Sequence, residues 1–192
     1  FLAGLGVLGF TVGFALQDIA RNFVAGILLL VQQPFDIGDA VKIGDYTGKV
    51  LDIRVRETVI RTWDGEKVLI PNIDVYTRPI VNYSDLPHRR RTVRVGLGYG
   101  EDVGRALGVF LEAVRSVEGV LDDPGPVLFV ERLGDYALEV VIQFWVDQRT
   151  HNLIQVHSEV VQGIKKAAET AGIEIPYPTQ TVRVEGTAQI PS

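Results

Sequence analysis

Residues 1–17 read FLAGLGVLGFTVGFALQ and contain no charged side chain. As an α-helix this segment would rise about 25 Å, close to the ~30 Å hydrocarbon core of a bilayer. Gly4, Gly6, Gly9 and Gly13 would each destabilise a helix in water by about 1 kcal/mol relative to alanine. In a membrane, small residues instead allow close helix packing, and Gly9 and Gly13 have the small-x-x-x-small spacing. The segment also lacks the A-x-A-like end of a signal peptide. We therefore expect a transmembrane helix.

One face of this helix would carry its aromatic side chains. At 100° per residue, the face of Phe10 and Phe14 also holds Ala3, Gly6 and Gln17. The opposite face is branched and lipid-compatible, with Leu5, Leu8, Val12 and Leu16. Small residues lie on both flanks: Gly4, Thr11 and Ala15 on one side, Gly9 and Gly13 on the other. Small residues on both flanks allow an identical helix to pack on each side. Repeating this packing forms a ring, with the face of Phe10 and Phe14 towards the ring axis.

A second helical pattern follows at Asp18 and is amphipathic because of Arg21 and Asn22. Asp is a favoured N-cap, so we expect a break at Asp18 and a second helix at an angle to the first. This helix should end at Gln32-Gln33, because Pro34 disfavours helix at the residue before it. Two interpretations of Asp18 stay open. It caps the second helix of its own subunit, or it faces the axis of the ring and attracts cations.

The rest of the chain has the patterns of two soluble domains. Within residues 35–83, the short segments DAVKI, GKVLDIRVRE, TVIRTW, KVLI and PIVNY predict strands of a small β-barrel or sandwich. Asp64-Gly65 predicts a hairpin, and Gly44-Asp45 with Thr47-Gly48 predicts another turn.

After the linker Ser84–Pro87, the order of patterns is β-α-β-β-α-β, with Gly172 as a helix cap and TVRVE (181–185) as the last strand. This order is ferredoxin-like if the last strand stays in the sheet.

Composition and motifs argue against enzymes and nucleic-acid binding. Lys+Arg is 19 and Asp+Glu is 24, a net charge of −5 that is unsuited to general nucleic-acid binding. The chain has no cysteine, and His88, His151 and His157 share no metal-ligand spacing. Gly96–Gly100 (GLGYG) does not match G-x-G-x-x-G. The basic run His88–Arg91 predicts either the solvent-exposed start of a strand or a cationic surface. We expect no catalytic residue, no metal and no cofactor.

The stretch GFALQDIARNFVAGILLLVQQPFDIGDAVKIGDYTGKVLDIRVRETVIRTWDGEKVLIPN, residues 13–72, resembles the small-conductance mechanosensitive channel family of bacteria, the MscS-like channels. The shared motifs are the Gly/Ala-rich helix, the N-x-x-x-G of Asn22 and Gly26, the PFDIGD turn, the DG…IPN segment, and the later PYP at residues 176–178.

The resemblance implies a membrane protein of the α+β class that assembles as a homoheptamer. Its parts would be a kinked pore-lining transmembrane helix (1–34), a small Sm-like β domain (35–83), a ferredoxin-like α/β domain (88–180), and a C-terminal strand and tail (181–192) that join a base barrel. Carried over by position, the pore constrictions fall on Phe10 and Phe14. The hinge positions fall on Gly26 and on Asp18, where the family has glycine. The family's outer transmembrane helices are absent here, so we expect a part of a longer protein.

The expected function is a channel of the bacterial inner membrane, multi-pass, with its C-terminal domains in the cytoplasm. Membrane tension would open it to release ions and small osmolytes under hypo-osmotic stress, with membrane lipid and further copies of the chain as partners and no nucleic acid. The alternative is a soluble oligomeric binding module with an apolar stalk. Dependence on detergent separates the two, because only the channel needs lipid or detergent around residues 1–31.

Overall fold

The structure is a computed structural model that describes residues 2–178. It divides between Leu86 and Pro87 into two compact units. The first unit contains one long helix and a β domain, and the second contains a three-stranded sheet with two helices.

A single helix, α1 (Leu2–Gln32), crosses position 18 without interruption. The predicted break and N-cap at Asp18 are therefore wrong. An aspartate inside a helix costs less than about 1 kcal/mol, which is too little to interrupt a long helix. The side chain of Asn22 reinforces this turn, because its Nδ2 donates to the carbonyl of Asp18 at 2.9 Å. The end of α1 is as predicted: Gln33, just before Pro34, has a positive φ of 44°.

The β domain is one antiparallel sheet with a short helix at its side. Its elements are β1 (Ala40–Ile43), β2 (Tyr46–Ile53), β3 (Glu57–Thr62), β4 (Lys67–Pro71), α2 (Asn72–Thr77) and β5 (Ile80–Asn82). The strand order is β4-β3-β2-β1-β5. The buried core joins strand residues to the end of α1 and to α2: Leu29, Phe35, Val41, Ile43, Val50, Ile60, Ile70 and Val75.

The turns of this sheet match the prediction in two places and differ in two, and one helix was not expected. Gly44-Asp45 joins β1 to β2 and Asp64-Gly65 joins β3 to β4, both with the glycine at positive φ. Thr47-Gly48 is not a turn but part of β2. Gly48 is needed there because an added Cβ would collide with the backbone carbonyl of Arg61 on β3. The predicted strand GKVLDIRVRE is divided by a turn at residues 54–56, and α2 was not predicted.

The second unit packs two helices on one face of a three-stranded sheet. Its elements are β6 (His88–Leu97), α3 (Val103–Arg115), β7 (Val127–Leu133), β8 (Leu138–Asp147) and α4 (Leu153–Ala171). The order is β6-β8-β7, with β8 antiparallel to both neighbours, which is the split β-α-β arrangement of ferredoxin-like folds. Gly172 caps α4 in the left-handed conformation at φ 64°, as predicted. The predicted strand and tail at 181–192 lie outside the described residues.

His157 on α4 packs against the sheet of this second unit. Its ring stacks on Phe144 of β8 with centroids 6.3 Å apart. The His157 Nδ1 and the Nε of Arg91 on β6 are both buried without a hydrogen-bond partner within residues 2–178. Burial lowers the pKa of His157 below its ordinary 6.5, and the positive charge of Arg91 lowers it further.

We expect the second unit to lose stability as the pH falls below about 6.5. Because the pKa of His157 is lower in the folded protein than in the unfolded chain, the unfolded chain binds more protons in the interval between the two pKa values, and acid favours unfolding there. Thermal unfolding at a series of pH values measures this. His157→Phe should flatten the dependence in this window, whereas an unchanged slope in that variant would contradict the assignment.

Candidate functional site

Most of α1 is uncovered by the rest of the chain. Within residues 2–178 it is the one helix long and apolar enough to cross a membrane. Its only charged residues are Asp18 and Arg21. Large apolar side chains are exposed all around it: Leu2, Leu5, Val7, Leu8, Phe10, Val12, Phe14, Leu16, Ile19, Phe23, Val24, Ile27, Leu30 and Val31. An apolar surface of this extent is covered in a native assembly by lipid or by other helices.

Phe10 and Phe14 lie together on one face of α1. Their ring centroids are 6.4 Å apart with the ring planes inclined by 20°. The two side chains are 76% and 71% exposed, so no other part of the described chain covers them. Ala3 and Gly6 are exposed too, and Gln17 is half-buried. The helical spacing of the aromatic pair is as expected, and the pore-facing role of this face stays a prediction.

The glycines of α1 divide into two groups by their surroundings. A Cβ added at Gly9 or Gly13 would meet no heavy atom within 4 Å, and the same is true at Gly4 and Gly6. This open space leaves room for a neighbouring helix, so helix packing through Gly9 and Gly13 stays a prediction. Gly26 is different, because it is buried.

Asp18 and Arg21 form a loose ion pair on the surface of α1. The Asp18 side chain is 92% exposed, and its Oδ1 lies 3.9 Å from Arg21 Nη1. Such exposed pairs contribute little to stability. Arg21 also lines a groove of about 510 Å³ between α1 and α2, together with Gln17 and Tyr76.

Gly26 is the point at which α1 meets the β domain. An added Cβ there would lie 2.5 Å from the carbonyl oxygen of Val55 and 2.5 Å from Nδ2 of Asn72. Ala25 and Leu29 beside it are buried, and Leu29 belongs to the β-domain core. The family resemblance implies a hinge at Gly26, and the helix is unbroken there. Close packing is the structural reason for glycine at this position, and a hinge stays a prediction.

Asn72 forms the centre of this junction and is fully buried. Its Nδ2 donates to the carbonyls of Arg54 at 2.8 Å and Val55 at 3.1 Å, and its Oδ1 accepts from Thr58 Oγ1 at 3.0 Å. Its backbone N–H donates to the carbonyl of Arg56 at 2.9 Å. One side chain therefore fixes the turn between β2 and β3 against which Gly26 packs.

Asn22 connects α1 to the start of α2. Its Oδ1 accepts the backbone N–H of Ile73 at 3.0 Å. The residue before α2 is Pro71, which offers no side-chain cap, so Asn22 supplies the acceptor that a helix start requires. The sequence contains Asn22, Gly26 and the IPN segment as motifs, but no local pattern in it predicts that they meet. The signal that could have indicated it is the i, i+4 spacing of Asn22 and Gly26, which puts both on one helix face.

Ion pairs support the same turn from outside. Arg54 Nε donates to Asp52 at 2.9 Å and its Nη1 to Glu57 at 3.1 Å. These hydrogen bonds to carboxylates raise the pKa of Arg54. Arg54 links β2 to β3 across the turn that carries the carbonyls of residues 54–56.

Comparisons with known proteins extend over almost the whole of this architecture. A family model of the mechanosensitive ion channel β-domain matches residues 18–85, and a model of the C-terminal part of the mechanosensitive ion channel MscS matches residues 92–175. The crystal structure of Helicobacter pylori MscS in its closed state is similar with a TM-score of 0.88 and 26% identity, over 97% of this chain and 73% of that one. Arabidopsis thaliana MSL1, at 24% identity and a TM-score of 0.79, covers 92% of this chain and 65% of that one and shares the fold.

Sequence relatives agree with the structural ones. An MscS family protein of Archaeoglobus fulgidus is 37% identical over 92% of this chain and 62% of its own length. The small-conductance mechanosensitive channel MscMJ of Methanocaldococcus jannaschii is 36% identical over 96% of this chain and 53% of its own length. The chain thus spans roughly three fifths or less of these curated relatives. With both family models matched in order and the fold shared with a solved MscS, the chain belongs to the MscS family of mechanosensitive ion channels.

Proposed function

We propose that this chain supplies the pore-lining helix and the cytoplasmic vestibule of a tension-gated channel in the bacterial inner membrane. The full-length protein would be multi-pass and would assemble as a homoheptamer. It would release ions and small osmolytes under hypo-osmotic stress. The observation that carries the proposal is that α1 leaves its Phe10 and Phe14 face uncovered while its other end is fixed in the β-domain core.

The mechanism follows from the two ends of α1. In a ring of copies, the Phe10 and Phe14 side chains would form two apolar constrictions, one helical turn apart, that exclude water when they are narrow. Tension favours the state with the larger area in the membrane plane, so the helices would tilt apart and hydrate the path. Because Asn22 and Gly26 hold α1 to the β domain, the membrane end of α1 would tilt relative to its end at the β domain, which would stay in place.

The ring itself would form through the small flanks of α1. The open space at Gly9 and Gly13 supports close approach of a neighbouring helix, whose own flank carries small residues as well. The exposed apolar surface of α1 also supports membrane insertion over a soluble module with an apolar stalk. In water, the apolar side chains of such a stalk would have to be buried against other protein surfaces.

Patch recordings from liposomes that contain the full-length protein test the function. Suction on the patch should produce stepwise currents above a threshold tension. Patches in which the protein is incorporated, and which rupture without any current, would contradict the proposal. Liposome flotation distinguishes that result from failed incorporation.

We expect Asp18→Asn to shift the reversal potential in a salt gradient towards anions while the gating threshold stays unchanged. The substitution removes the carboxylate beside Arg21 and leaves that cation without a partner on the helix. Helix stability should change by less than about 0.5 kcal/mol, because the Asp18 side chain is exposed and makes no cap. Arg21→Gln is the matched control and should shift the potential towards cations. If the reversal potential is unchanged in both variants, neither residue lies in the conduction path.

A further inference from the structure

The outward face of the β-domain sheet carries a row of cations. Lys49 on β2 lies directly opposite Arg61 on β3, and Arg61 lies directly opposite Lys67 on β4. Residues opposite one another point to the same side of a sheet with their Cβ atoms about 5 Å apart. Lys42 on β1 lies two positions beyond Ala40, which is opposite Lys49, so it projects from the same side. All four side chains are exposed.

This basic face, Lys42, Lys49, Arg61 and Lys67, has no counter-charge of its own. Within residues 2–178, no carboxylate lies within ion-pair distance of any of the four. Like charges directly opposite each other destabilise a sheet. The positive charge of this face contrasts with the net charge of the whole chain, which is −5. An external anion would remove the repulsion.

Apolar groups border the basic face. Trp63 follows β3 two positions after Arg61 and is 65% exposed. Leu69, two positions after Lys67 on β4, is exposed as well. Cations next to an exposed tryptophan are typical of protein surfaces at the boundary between membrane and water.

The β domain that carries the basic face also begins close to the uncharged part of α1. Asn22, five positions after Gln17, already contacts Ile73 of α2. Five residues of helix rise only about 8 Å. We propose that the basic face binds the anionic phospholipid headgroups of the bilayer into which α1 inserts. This inference rests on the proposed membrane insertion, and it adds a lipid contact made by the β domain.

The fluorescence of Trp63 tests the proposal. In a Trp145→Phe background Trp63 is the remaining tryptophan of the chain. The protein is placed in nanodiscs of phosphatidylcholine or of phosphatidylglycerol. We expect a blue-shifted emission in phosphatidylglycerol that spin-labelled headgroups quench, and its loss at high salt because salt screens exposed charges.

Two triple variants supply the comparison. Lys49→Gln, Arg61→Gln and Lys67→Gln together should abolish the blue shift. The control Arg90→Gln, Arg115→Gln and Lys166→Gln removes the same charge from the second unit and should retain it. Equal emission in both lipids would overturn the proposal, as would an equal shift on adding soluble polyphosphate in phosphatidylcholine, or an emission already blue-shifted in detergent by contact between copies. Failure to incorporate into either nanodisc would overturn membrane insertion and this lipid contact together.

Discussion

Gly26→Val is expected to lower the free energy of unfolding of the first unit by about 3–5 kcal/mol. Its Cβ would lie 2.5 Å from the carbonyl oxygen of Val55 and from Nδ2 of the buried Asn72. Neither neighbour can move freely, because Asn72 is held by hydrogen bonds to Arg54, Val55 and Thr58. Overpacking costs about 1–3 kcal/mol, and breaking buried hydrogen bonds adds a similar amount.

Denaturant unfolding in detergent, followed by circular dichroism, measures this effect. Gly108→Ala on α3 is the control, since its Cβ would also meet nothing within 4 Å and the residue lies outside the proposed ring of α1 helices. It should leave stability unchanged or raise it by up to about 1 kcal/mol through helix propensity. Gly26→Ala should lie between the two. A Gly26→Val protein within about 1 kcal/mol of the parent would contradict the packing of α1 on the β domain.

Phe10→Ser and Phe14→Ser are expected to open the channel at much lower tension. In the proposed pore, each substitution would replace a ring of exposed aromatic side chains with hydroxyl groups that hydrogen-bond water, so the constriction would no longer exclude water. We expect the double variant to conduct without applied tension. Cells that express it should grow poorly, because ions would leak through an open pore.

Threshold tension in patch recordings checks this prediction. Leu8→Ser is the matched control, because Leu8 is also exposed but lies on the opposite face of the helix. It removes a similar apolar surface and should keep the threshold near that of the parent. Equal thresholds in the Phe10, Phe14 and Leu8 variants would move the constriction away from the aromatic face.

Local patterns in the sequence predict most elements of the fold. The period of two, the Asp64-Gly65 turn and the Pro34 stop all act within a few residues, and each has its expected counterpart in the structure. The expected break at Asp18 is absent from the structure. The preference of aspartate for a helix N-terminus stabilises a break too weakly to interrupt a long helix. Gly48 matches a turn pattern in the sequence, but its role is close approach to β3, which depends on a partner strand that the local pattern does not identify.

The junction at Gly26 could not be predicted in the same way. It depends on contacts between Asn22 and Ile73, and between Gly26 and residues 55 and 72, which are far apart in the sequence. A single Asn or Gly carries no periodic signal that identifies its distant partner. The aromatic pair was predictable, because the spacing of Phe10 and Phe14 alone puts them on one face.

The central claim, that the aromatic face of α1 lines a tension-gated pore, is tested most directly by cysteine accessibility. The chain has no cysteine, so Phe14→Cys and Leu8→Cys each introduce a single thiol into it. A charged, water-soluble thiol reagent is applied to patches in which suction keeps the channels open. We expect rapid and irreversible block of the current in Phe14→Cys and no block in Leu8→Cys. Block in Leu8→Cys alone, or an unaffected current in Phe14→Cys, would contradict the account.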